Sequence, residues 1–77
     1  MIQVRLFAAA AEAVGGDETV VDVATAGELR TALGRMGVEA PRVLAQCALL
    51  RDGVRLGDDA ALTTGDLIDV LPPFAGG

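Results

Sequence analysis

The chain opens on an alternation of apolar and polar positions. Ile2, Val4 and Leu6 share one face of an extended segment, with Gln3, Arg5 and Phe7 on the other, so residues 1–7 read as a half-buried strand. Ala8 to Val14 is alanine-rich and suits a short helix stopped by Gly15-Gly16. Thr19 to Val23 is β-branched apart from Asp22 and reads as a second strand. The period then changes from two to helical. Thr25 and Glu28 form a Thr-x-x-Glu capping box, after which Leu29, Ala32, Leu33 and Met36 recur on one helix face with Arg30, Thr31 and Arg35 outside. Gly37 is a natural stop, and 41–46 adds one further helical turn. Cys47 to Arg51 is strand-like, and Asp52-Gly53 followed by Val54-Arg55-Leu56 signals a hairpin. Gly57-Asp58-Asp59 is a loop, 60–62 a tight turn, and Thr64-Gly65-Asp66 turns into a last strand at 67–71. There Ile68 and Val70 point inward and Leu67, Asp69 and Leu71 outward.

This order predicts an α+β domain in which one main helix covers one face of a mixed sheet of four to five strands. It matches the β-grasp, or ubiquitin-like, arrangement by analogy of element order, which by itself carries no function. In that arrangement the first and last strands are parallel neighbours. Phe7 and Leu71 then lie close together on the open face, at the far ends of their strands. Two large apolar residues exposed side by side form a candidate docking surface.

The 77 residues suffice for one core, expected over 1–71, and leave 72–77 as an extended, flexible tail. Pro72 and Pro73 end the last strand, since neither can donate to a sheet, and they stiffen the chain toward an extended conformation. Phe74 and Ala75 follow, then Gly76-Gly77 with a terminal carboxylate. Six extended residues reach about 20 Å, enough to enter a partner's active site while the domain stays outside. Gly76 lets the chain thread a narrow channel, and the Gly77 carboxylate is as unhindered as a chain can offer. An arbitrary Gly-Gly end is most often a frayed terminus; a proline pair directly after an apolar strand argues against that here.

Composition narrows the chemistry. The net charge is −5, with six arginines and no lysine, and Phe7 and Phe74 are the only aromatics. That argues against nucleic acid and anionic membranes and favours protein partners with basic faces. Without histidine and with Cys47 as sole cysteine, a disulfide scaffold and a cysteine–histidine metal site are excluded within one chain. Cys47, next to Ala48-Leu49-Leu50, reads as a small buried hydrophobe. The adjacent pairs Asp17-Glu18 and Asp58-Asp59 read as solvated loop surface, not a cation site, so no metal is expected. The apolar runs fall short of the ~20 residues a spanning helix needs, and the chain is expected to be cytoplasmic.

The opening Val4-Arg5-Leu6-Phe7-Ala8, the segment Leu62-Thr63-Thr64-Gly65-Asp66, and above all the closing Asp69-Val70-Leu71-Pro72-Pro73-Phe74-Ala75-Gly76-Gly77 resemble the MoaD family of the MoaD/ThiS superfamily. That family comprises the small subunits of molybdopterin synthase. The resemblance implies a sulfur carrier with no cofactor bound and ATP as cosubstrate. An E1-like (MoeB-type) enzyme would adenylate Gly77, and a sulfur donor protein would convert it to a thiocarboxylate. The synthase large subunit (MoaE-type) would use that sulfur for the molybdopterin dithiolene. Partner contacts would fall on Phe7, Leu71, Pro72, Pro73, Phe74 and Ala75, with Gly76 threading the channel. The small subunit is then non-catalytic, because the catalytic groups are expected on the large subunit.

Three other roles fit the same residues. A carrier for thiamine or cysteine biosynthesis would share the chemistry and differ in who docks. A ubiquitin-like modifier would join Gly77 to target lysines. A β-grasp binding module would leave the tail idle.

Overall fold

A computed structural model describes residues 1–73. Five strands and three helices follow in the order β1 (Ile2–Leu6), α1 (Ala9–Val14), β2 (Glu18–Val21), α2 (Ala26–Gly34), α3 (Ala40–Gln46), β3 (Ala48–Arg51), β4 (Val54–Arg55) and β5 (Leu67–Leu71). The strands form one sheet in the order β2-β1-β5-β3-β4. β1 and β5 are parallel and central, while β2 and the β3–β4 hairpin pair antiparallel on either side. This is the mixed α+β β-grasp arrangement.

The alternation in β1 and β5 decides which face is buried. Ile2, Val4, Leu6, Ile68 and Val70 join Leu29, Leu33, Leu44 and Leu49 in a core between sheet and helices. Replacing a fully buried leucine such as Leu29 by alanine costs about 2–5 kcal/mol in such a core. The capping box at α2 forms as expected on one side: Thr25 Oγ1 accepts from the Glu28 amide at 3.2 Å. The return bond differs, because Glu28 Oε1 accepts from the Ala24 amide at 3.0 Å, one residue earlier than the usual partner.

Three local expectations are corrected. α2 ends at Gly34, so Met36 lies beyond the helix and is exposed at 40% instead of buried. Gly37 does not stop that helix. A Cβ there would overlap the Ala13 carbonyl oxygen, so glycine is needed for the close approach of α1 to the α2–α3 connection. The single turn expected at 41–46 is a full helix, and α3 packs beside both α2 and α1. The Asp52-Gly53 turn is as the sequence predicts, with φ of 53° and 78° at the two residues.

Two polar clasps hold the connections. Arg30 donates to the carbonyls of Leu44 and Cys47 at the end of α3 and pairs with Asp58 at 3.2 Å. Arg51 donates to the Ala61 carbonyl at 3.0 Å and to Asp66 Oδ2 at 2.8 Å, and that same oxygen accepts from the Thr63 amide at 2.9 Å. The second clasp fixes the turn from which β5 departs.

Candidate functional site

β5 is the central strand that carries the chain to its C-terminal residues. Its neighbours therefore decide what surrounds the root of the expected tail. The parallel register sets Gln3, Val4, Arg5 and Leu6 opposite Leu67, Ile68, Asp69 and Val70. The Phe7 amide donates to the Val70 carbonyl at 3.3 Å, which carries the ladder one step past β1. By alternation Phe7 and Leu71 then follow Arg5 and Asp69 on the open face. Phe7 is 39% exposed and Leu71 half-buried. The register derived from the apolar alternation is thus the one found, and it sets Phe7 and Leu71 one step past the last paired residues of the two strands.

On that face Arg5 makes a bidentate pair with Asp69, Nε to Oδ1 at 2.7 Å and Nη2 to Oδ2 at 3.0 Å. The Asp69 hydrogen bond, and then its charge, raise the Arg5 pKa above its ordinary value. Leu67 is exposed before the pair, and Leu50 and Ala48 of β3 are half-buried beside Asp69 and Leu71. The open face thus carries apolar residues around this ion pair, together with the polar side chains of Gln3, Glu18 and Arg55.

Two features near the root are invisible in the sequence pattern. Ala8, directly after Phe7, has φ 51° and ψ −126°, a region costly for a residue with a Cβ. It turns the chain sharply from β1 into α1 and so ends the strand at the candidate anchor. Pro72, expected to lead away from the body, is itself buried, while Pro73 is exposed. Phe74, Ala75, Gly76 and Gly77, which carry the expected chemistry, lie outside the described residues.

Cys47 is buried, and its Sγ donates to the Val43 carbonyl at 3.2 Å. Burial pushes its thiol pKa up, with the Arg30 charge opposing in smaller measure, so it is poorly suited as a nucleophile. Among the described residues no group of three or more cysteine, aspartate or glutamate side chains could hold a metal ion. None of the described helices is long and apolar enough to cross a membrane.

The family model of the ThiS family matches residues 4–77. The chain belongs to the ThiS family. Its fold is the ubiquitin-like sulfur-carrier fold of the MoaD/ThiS superfamily. Among solved structures it is similar to SAMP1 from Haloferax volcanii, with 30% identity, a TM-score of 0.78, and 99% of this chain and 98% of that one covered. It is also similar to a chain in the complex of subunits 1 and 2 of molybdopterin-converting factor from Helicobacter pylori 26695. There the identity is 25% and the TM-score 0.70, over 99% of this chain and 97% of that one. A putative molybdopterin converting factor subunit 1 from Pyrococcus furiosus shares the fold at 20% identity and a TM-score of 0.81, over 94% and 95% of the two chains. No curated protein matches the chain.

Proposed function

We propose that this ThiS-family protein is the sulfur-carrying small subunit of a molybdopterin synthase. The observation that carries the reading is its similarity, along nearly the whole of both chains, to a chain of the H. pylori complex of molybdopterin-converting factor subunits 1 and 2. The closing Leu71-Pro72-Pro73-Phe74-Ala75-Gly76-Gly77 supplies the chemistry. A carboxylate is a poor electrophile until it has a good leaving group. Adenylation of Gly77 by an E1-like (MoeB-type) enzyme with ATP provides one. Sulfur delivered at the sulfide level by a donor protein then displaces AMP and leaves a thiocarboxylate, a soft and largely ionised nucleophile near neutral pH. A MoaE-type large subunit docks on Phe7 and Leu71 at the root of the tail and receives Gly76-Gly77 in its active site. The acid and base groups of the transfer belong to the partners.

The test is a reconstitution. The full chain is incubated with ATP, a MoeB-type enzyme and a sulfur source, and its intact mass is measured. The expected gain corresponds to one oxygen exchanged for sulfur at Gly77, followed by its loss on adding the large subunit and the cyclic pterin precursor. A thiocarboxylate that the large subunit leaves untouched overturns the molybdopterin reading.

The similarity to SAMP1, a small archaeal modifier protein, favours a second reading, attachment of Gly77 to lysines of other proteins. A ladder of covalent adducts in host lysate, absent when Gly77 is deleted, is its signature.

A further inference from the structure

β2 is an edge strand, and its backbone is half unused. In β1 the amides of Gln3 and Phe7 donate toward β5, while the Leu6 amide donates to the Asp17 carbonyl on the β2 side. Peptide groups alternate sides along a strand, so Ile2, Val4 and Leu6 serve β2, pairing with Val21, Thr19 and Asp17. The amides and carbonyls of Glu18, Val20 and Asp22 therefore point outward. None of them takes part in a backbone hydrogen bond elsewhere among the described residues.

The flanks of this edge have a definite character. On the open face the Val20 side chain is 51% exposed. Toward the helices the edge borders a groove of about 690 Å³ against α2, where Val21, Val23 and Ala32 are half-buried. Asp17, Glu18 and Asp22 are exposed along the edge and form no salt bridge among the described residues. Arg5, the cation opposite Glu18, is already engaged by Asp69. Asp22 and Glu28 stand in the groove, with Arg35 as a cation at the same groove.

We infer that the β2 edge is a second docking site, one that takes an extended segment of a partner protein carrying alternating apolar and basic residues. The segment adds as a sixth strand on the free groups of Glu18 and Val20. Its apolar side chains enter the groove beside Val21 and Val23, and its basic ones lie on the open-face side, where Glu18 flanks Val20. A second copy of this chain is a poor occupant, because edge-to-edge pairing brings the same carboxylates together. The site adjoins the Phe7–Leu71 surface at one end, where Phe7, Asp17 and Glu18 line one pocket, but its free backbone groups lie on the outer edge of β2, with β1 between them and β5. It stands whether or not the chain carries sulfur.

The experiment uses the full chain and a synthetic peptide of alternating arginine and valine, followed by amide resonances and a binding titration. Binding is expected to perturb Glu18, Val20 and Asp22 most, to slow hydrogen exchange of the Val20 amide, and to weaken with added salt. Val20→Pro removes an outward donor without touching the β1 ladder, so it should weaken binding about tenfold or more at an unchanged fold. If that variant does not fold, the exposed double variant Glu18→Arg with Asp22→Arg gives the same readout. Perturbation centred on Phe7 and Leu71, unprotected exchange at Val20, or binding unchanged in the charge-reversed variant overturns the proposal. So does dimerisation of the free chain through β2 in sedimentation.

Discussion

Arg5 and Asp69 are register partners on adjacent parallel strands, and their side chains form a two-bond ion pair at 2.7 and 3.0 Å on the open face. The pair aligns the ends of β1 and β5, so that Phe7 and Leu71 stand one alternation further on. The ion pair itself is exposed and contributes little to stability. Its effect is to neutralise two of the charges on that face, which also carries Glu18 and Arg55.

Phe7→Ala is the direct test of that surface. Loss of a docking anchor should cost about 2 kcal/mol of affinity for the large subunit, measured by titration calorimetry. The melting temperature should hardly change, because Phe7 is no part of the buried core. Unfolding of the variant, with normal binding by the folded remainder, would instead make Phe7 a core residue.

The tail can be tested without reference to its conformation. Removing Gly77 should leave the melting temperature unchanged and abolish thiocarboxylate formation by intact mass. Gly76→Val should keep the same thermal stability and block the activating or synthase step by bulk. Normal turnover of Gly76→Val would show that no narrow channel has to be threaded.

Gly37 makes a purely structural prediction. Its Cβ would meet the Ala13 carbonyl oxygen, a backbone atom that can move only if α1 moves. Gly37→Ala should therefore destabilise the domain by about 1–3 kcal/mol in urea unfolding. An unchanged unfolding midpoint would mean that α1 shifts freely.

Acid should act through Asp66. The Thr63 amide, and then the Arg51 guanidinium, hold its carboxyl below the ordinary value of 3.8. A carboxyl with a depressed folded pKa contributes stability that is present above its unfolded value and is lost as pH falls through the folded one. The melting temperature should drop as pH is lowered below about 3.8, and Asp66→Asn should show a shallower drop over that window. An identical pH profile for the variant would remove Asp66 from the account.

What the sequence by itself determined was local. Alternation in Ile2–Leu6 and Leu67–Leu71 fixed which face of each central strand is buried, because a slip of one residue would turn the whole apolar set to solvent. The helix start at Thr25 and the turn at Asp52-Gly53 were legible because side-chain capping and positive φ depend on a few adjacent residues. The tertiary structure alone decided the rest. Gly37 reads as a helix stop in sequence, yet it is glycine because α1, over twenty residues earlier, comes against it. Met36 matches the buried helical spacing, but α2 has already ended at Gly34. The burial of Pro72, the strained turn at Ala8 and the outward-facing amides of β2 have no local signature. Each depends on which strand lies next to which, and that follows from packing the whole core at once.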